Sequence, residues 1–461
     1  MQTLARGGSR KCSDPQGSAP IRRRATADGF HSRRRFLRNV CGMAAGFLAL
    51  NRLWGPLFSV DTVEAADPAA VLERHAGTTQ PFVFDCHLHF VPNTFTWRNL
   101  LALRRLALAS GQYRSVEAPS LQKLRFQNFI KEVFLESDTT LGLLSGAPAD
   151  NPSHWFLKND ALAGARAMLN SVAGAKRLFS QAVFTPGRDG WLEAIDKAIE
   201  VHHPDSWTGY TLGDPLRMSK YPWRMDDEQL VYPAYAKFMK AGIRTVCVQK
   251  GLLPESDYPQ GSDIWRFGTV EDLGRAARDW PELTFVINNA ALRPLRFAGR
   301  SDMRAFEQRG YLPWASDLAA IPAKYGVSNV YAELGSAFAT TVFSHPLHCA
   351  ALLGTLIKGL GADKVLWGTA SIWYGSPQWQ IEAFRRLEIP EDLRRRFGFT
   401  PLGPADGAVK SAILGGNAAR LYGVRLSREG NYPEDQLSVM RAQWNAGAES
   451  YLTWLSAAAG G

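Results

Sequence analysis

His87 and His89 stand two residues apart in the stretch DCHLH, at the end of the apolar run Pro81-Phe82-Val83-Phe84. Side chains at i and i+2 of a strand share a face, so the two imidazoles can converge on one point. Neutral imidazole nitrogens suit zinc-type ions, and a catalytic zinc takes about three protein ligands plus an open position for water. The pair is therefore half of a metal site. Glu333, at the end of the run Asn329–Leu334, can ligate a metal or line a mouth as a structural carboxylate. His345 and His348, three apart at a helix start, can reach inward or serve as surface and capping groups. His202 and His203 read as solvated. Lys250 and Arg293 each follow an apolar run and can meet an acidic substrate, or pair with Asp257 or Glu255 at the surface. Trp373, Tyr374 and Trp379, around Gly375, read as core packing or as a pocket wall.

Elements with the right periodicity exist to hold these groups. Short β-rich runs recur at Phe82–His87, Thr139–Leu144, Gln181–Thr185, Ser206–Leu212, Arg244–Gln249, Leu283–Asn289, Asn329–Leu334 and Lys364–Gly368. Amphipathic stretches such as Leu230–Ala241 and Leu347–Gly361 lie between them. Eight strands alternating with helices predict a parallel (β/α)8 barrel, an α/β fold whose chemistry sits at the C-terminal ends of the strands. Trp97–Phe134 and Ser153–Lys176 read as helical insertions near the mouth. In the tail from Pro433, Leu437, Met440, Trp444, Ala448, Tyr451 and Leu455 fall on one face of a packing helix. The expected organisation is a leader over 1–65, a barrel over 66–430 and a helical tail over 431–461.

The chain of 461 residues carries a net charge of +10. Residues 1–65 hold 11 Lys and Arg against 4 Asp and Glu, while the remainder is nearly balanced. The basic character thus belongs to the N-terminus and argues against nucleic-acid binding. Ser32-Arg33-Arg34-Arg35-Phe36-Leu37-Arg38 resembles a twin-arginine export motif. An apolar stretch from Val40 to Leu50 follows it, then Val63-Glu64-Ala65 as a small-residue cleavage site. That order predicts export to the periplasm or outside. The stretch falls short of the ~20 residues a membrane span needs, and Arg52 ends it. Cys86, Cys247 and Cys349 are far apart and odd in number, which reads as buried thiols.

The His-x-His on the first strand and the segments VQKGLLP, INNAALRP, LGADKVLWGTAS and ILGGNAARLYG are similar to the amidohydrolase-related family of metal-dependent hydrolases and decarboxylases. LWGTASIWYGSPQWQIEAFRRLEIP resembles exported members of that branch. The resemblance spans most of residues 81–424 and implies the barrel, a zinc-type divalent metal and a small carboxylic or cyclic substrate. It also implies a His at the end of strand five, a His at strand six, an Asp after strand eight in a G-[ST]-D context, and often a Lys near the end of strand four. Here those positions hold Gln249, Asn289, Ala370 and Thr208. Amide side chains offer a weak neutral oxygen and no imidazole nitrogen. Ala370 removes the carboxylate that would bind metal or take a proton. Thr208 removes a cation.

These substitutions predict a catalytically impaired member that keeps a polar pocket and binds metal weakly or not at all. The positions are expected at a solvent-facing strand end, where they cost the fold little. One alternative is an active hydrolase using His87, His89 and Glu333, with His345 or His348. Another is a non-catalytic small-molecule-binding protein of the cell envelope.

Overall fold

The computed structural model describes residues 42–67, 70, 73, 81–97, 100–110, 120–215, 218–251, 263–292 and 299–446. Eight parallel strands follow one another round a single sheet in chain order. They are β1 (Phe84–Leu88), β2 (Leu141–Leu144), β3 (Leu178–Val183), β4 (Ser206–Tyr210), β5 (Thr245–Gln249), β6 (Thr284–Asn288), β7 (Val330–Glu333) and β8 (Val365–Leu366). The ring closes between its ends: the Cys86 N–H donates to the Trp367 carbonyl at 2.9 Å, and the His89 N–H to the Ser371 carbonyl at 2.6 Å. The fold is a (β/α)8 barrel.

Alternation along each strand sorts its residues. Phe84, Leu141, Leu143, Phe179, Cys247, Val286 and Leu366 fill the barrel interior, with Tyr331 and Tyr422 packed against them. The opposite faces, rich in Val, Ile and Leu, lie under the outer helices in one continuous core. In β1 the register shifts between Asp85 and Leu88. Phe84 and Cys86 fill the interior, and past that irregularity His87 and His89 stand at the mouth, their rings 4.8 Å apart. A bulge can re-aim side chains in this way.

Every expected strand is present. The largest displacement is β3, which begins at Leu178. Asn170 fixes that start by accepting from the Arg177 and Leu178 N–H groups at 2.8 Å each. The stretch Ser153–Lys176 is not an insertion. Its helix, Asn159–Ala173, is the ordinary crossover from β2 to β3, pinned at its other end where Asn159 exchanges hydrogen bonds with the backbone of Val183. The stretch Trp97–Phe134 is broken into Leu100–Ser110, Leu121–Leu124, Phe126–Ile130 and Lys131–Leu135.

The C-terminal helix Gln436–Asn445 packs on the barrel through Leu437 and Met440. Asp435 caps it and forms a forked ion pair with Arg177 at 2.6 Å on each arm. Ala448, Tyr451 and Leu455 lie outside the described residues. Cys86, Cys247 and Cys349 are free and buried, and burial pushes the Cys247 and Cys349 thiols up to about 12. Among the described residues no helix is long and apolar enough to cross a membrane.

Candidate functional site

The C-terminal strand ends bring His87, His89, Thr208, Tyr210, Gln249, Asn289, Glu333 and Ala370 to one end of the barrel, all buried. Gln249, Asn289, Ala370 and Thr208 are therefore not at a solvent-facing edge as the sequence suggested. Any change there is a change in a packed environment.

The two histidines are held from behind. His87 Nδ1 lies 2.9 Å from Glu333 Oε2. The same oxygen accepts the Asn289 N–H at 2.9 Å. His89 Nδ1 lies 2.6 Å from the Ser145 carbonyl. Carbonyls and carboxylates only accept, so each Nδ1 carries a proton, and in the neutral ring Nε2 keeps its lone pair. Burial, with His87 beside it, drives His89 down to about 3 against the pull of the Ser145 carbonyl, so its ring is neutral. This is the tautomer a metal-binding His-x-His needs, complete with outer partners.

The other half of the site is sealed. Asn289 Oδ1 accepts the Ser336 N–H at 2.5 Å. That fixes the amide, and Asn289 Nδ2 donates to Gln249 Oε1 at 2.7 Å. Gln249 Nε2 in turn donates to the Lys250 carbonyl at 3.2 Å. The two amides thus satisfy each other and the backbone. One oxygen of Glu333 holds His87 and Asn289, while the other, Oε1, lies against Gly368 and is buried with no hydrogen-bond partner among the described residues. A Cβ at Gly368 would sit 1.9 Å from that oxygen, and one at Gly335 2.3 Å from Asn289 Oδ1. Both glycines are needed for the close approach. Among the described residues no three His, Cys, Asp or Glu side chains are placed to share an ion. The residues present do not fit the zinc-type metal that the sequence resemblance implies.

Backbone geometry at two of these positions is unusual. Asn289, Ala290 and Ala291 have φ of 54°, 48° and 55°, and Ala370 has φ of 51°. Non-glycine residues seldom adopt this left-handed region, Asn being among the better tolerated. Beneath Ala370, Asp85 accepts from the Thr369 hydroxyl at 2.5 Å and from the Thr369 and His87 N–H groups at 3.1 Å each. Burial pushes Asp85 up to about 7 in spite of those three donors.

The remaining candidates separate. Lys250 is not turned to the mouth but is committed to Asp272, and Glu255 and Asp257 lie outside the described residues. It is fully buried, with Nζ 2.8 and 2.7 Å from the two Asp272 oxygens and 3.1 Å from the Phe267 carbonyl. Burial lowers its pKa, and Asp272 opposes that shift. Arg293 lies outside the described residues. Trp373 does line the mouth, its ring 5.9 Å from His89 and 5.5 Å from Phe156. Trp379 packs instead, stacked on Phe343 at 5.3 Å. His345 Nδ1 is 2.9 Å from the Ser344 hydroxyl, and burial pushes His348 down to about 3. His202 is buried rather than solvated, with Nε2 3.3 Å from Asp160.

Two features escaped the sequence reading. Tyr210 shares the inward face of β4 with Thr208, and burial together with nearby Glu333 raises its hydroxyl pKa. The period-two alternation of Ser206, Thr208 and Tyr210 carried that signal. An open cleft of about 650 Å³ lies beside the mouth, lined by Phe95, Trp97, His154, Trp155 and Phe156 among others. Its Phe156 is the residue that meets Trp373 and His89.

A (β/α)8 barrel with a paired, outward-aimed His-x-His at its mouth defines the class. A family model described as Amidohydrolase matches residues 84–424, and the chain belongs to that family. No curated protein matches it. Among solved structures, it is similar to an uncharacterized TIM-barrel protein from Bordetella bronchiseptica, with 15% identity, a TM-score of 0.48, and coverage of 74% of this chain and 99% of that one. It is also similar to 5-carboxyvanillate decarboxylase from Sphingomonas paucimobilis, with 15% identity, a TM-score of 0.42, and coverage of 75% and 99%. A third is dihydroxybenzoic acid decarboxylase from Polaromonas sp., with bound manganese and the inhibitor 2-nitroresorcinol, at 13% identity, a TM-score of 0.41, and coverage of 76% and 100%.

Proposed function

We propose that this chain is an amidohydrolase-fold protein that has lost the family's metal-dependent hydrolysis or decarboxylation and retains a mouth pocket for a small carboxylic or cyclic molecule. The observation that carries this reading is the closed amide chain from Lys250 through Gln249 and Asn289 to Ser336. Where a metal site would place ligands with lone pairs aimed at an ion, these side chains spend their polarity on each other. Two imidazoles remain, and loss of even an outer partner typically lowers metal affinity 10–100-fold. Losing ligands themselves lowers it further.

Metal analysis of the purified protein tests this. After mild chelation and dialysis, zinc and manganese should be well below one ion per chain. A panel of small aromatic and cyclic carboxylates should include compounds that raise the melting temperature without being consumed. Stoichiometric metal retained through dialysis, or turnover of any of these acids, would favour the alternative of an active enzyme built on His87, His89 and Glu333 or His345. The free Nε2 of each mouth histidine is the feature in that alternative's favour.

Export is the second part of the proposal, and its support is the order of Arg33-Arg34, apolar stretch and small residues. Changing both arginines to lysine should leave the protein in the cytoplasm. Undiminished recovery from the envelope fraction would count against export by this route.

A further inference from the structure

The apolar part of the leader has a second seat in this molecule. Residues 42–54 form a helix against the barrel. Phe47 is fully buried, 4.8 Å from Phe58 and 5.7 Å from Phe343, with the Arg386 guanidinium 5.6 Å over its ring. Asn51 turns the chain back by accepting the Leu57 and Phe58 N–H groups at 3.0 and 2.9 Å and donating to the Phe58 carbonyl at 2.7 Å. The segment then runs beside residues 386–388: Ser59 N–H donates to the Arg386 carbonyl at 2.8 Å, and Glu388 N–H to the Leu57 carbonyl at 2.7 Å.

The residues read as a cleavage site come next, and they are helical. Thr62–Ala66 is a helix capped by Asp61, with a reciprocal bond from the Asp61 N–H to Glu64 at 3.0 Å. Glu64 is buried, 2.7 Å from Arg386. Arg386 is itself buried and has one other carboxylate, Glu382 at 3.5 Å, which also serves Arg385. A processing peptidase needs an extended, accessible strand. Here it would meet a capped helix whose middle residue neutralises a buried cation. Cutting after Ala65 would remove Phe47, Leu57 and Phe58 from the core and strip Arg386 of its closest partner.

We propose that residues 42–66 are a retained clasp on the helix Gln378–Arg386, not a discarded leader, and that the Val63–Ala65 site stays uncut in the folded protein. The clasp also reaches the mouth. Gln380, on the clasped helix, donates to the Thr369 carbonyl at 3.0 Å, and Thr369 holds Asp85 under β1. The apolar face that an export machine would grip is the face the barrel covers. The folded chain therefore holds its own address in competition with the exporter, whichever compartment it ends in.

Intact-mass measurement of the full-length gene product, purified from whichever fraction contains it, tests the clasp apart from export. The mature chain should begin at or before Gly42. A chain beginning anywhere later, residue 66 included, overturns the proposal. As a second readout, thermolysin under native conditions should leave residues 47–66 uncut in the parent, whereas a full-length Phe47→Ala variant should be cut there at least tenfold faster. Equal cutting of parent and variant would show that the segment is not clasped. The fraction reports export and the mass reports retention, so the two proposals fail separately.

Discussion

Asp272→Asn should lower the stability of the folded protein by about 3–5 kcal/mol, the loss expected when one member of a buried ion pair is removed and the other charge remains. Lys250 and Asp272 are both fully shielded, and the ammonium touches both carboxylate oxygens. Asp272 also accepts the Met225 N–H at 2.8 Å, tying the loop after β4 to the helix after β5. An asparagine can keep that backbone bond but cannot balance the ammonium. The paired change Lys250→Met with Asp272→Asn should recover most of the loss, because the asparagine keeps the Met225 bond and no charge is left to balance. Denaturant midpoints of the three proteins decide the matter. A single variant within about 1 kcal/mol of the parent would mean that water or rearrangement reaches the pair, a cost well under that of a stranded charge.

Restoring Gln249→His, Asn289→His and Ala370→Asp together should convert the mouth into a site that takes up roughly one divalent ion per chain. The two imidazoles of β1 are already in the right tautomer with their outer partners in place. Single changes should do the opposite of help. Asn289→His alone breaks the bond to Gln249 and strands the Ser336 N–H, a loss of about 1–3 kcal/mol for an unsatisfied buried group. Residues that act as a unit are not additive, so neither metal uptake nor turnover should emerge until the set is complete. Thr208→Lys would place an ammonium in a fully buried position and should be tolerated only once new carboxylates and metal are present. Metal content by mass spectrometry, with the melting temperature measured with and without zinc or manganese, gives the result. A combined variant that folds but stays metal-free would show that these positions do not converge.

The barrel was legible because each strand is a short apolar run between polar helices, and because period-two alternation selects one inward set. The histidine pair was legible for the same reason. Its support was not: Glu333 is 246 residues from His87, and nothing local distinguishes a carboxylate that binds an ion from one that orients an imidazole. Lys250 was misread because its partner lies 22 residues on, beyond a loop. A lysine after a strand looks solvent-facing until the helix that covers it is known. The burial of Asn289 depends on the start of the helix Gly335–Thr341, whose approach is a tertiary fact. Trp373 could be placed at the mouth from its position after β8, but not its contacts with His89 and Phe156.

The left-handed backbone at Asn289 and Ala370 bears on how readily a metal site could be built at this mouth. A residue with a Cβ in that conformation gives up roughly 1–2 kcal/mol, and the short polar residues Asn and Asp tolerate it best. Alanine has no such excuse at position 370, so the turn is held by its surroundings rather than by the residue in it. The mould thus outlasts the casting. In the genetic code, Asn to His and Gln to His each require one base change, and Ala to Asp requires one from two of the four alanine codons. Backbone shape and codon distance together leave the chain close to a metal-binding sequence, while the mutual satisfaction of Gln249 and Asn289 makes a first step at either of them downhill in stability. That combination acts as a latch: on the proposed loss of function, a return to metal binding requires several changes at once.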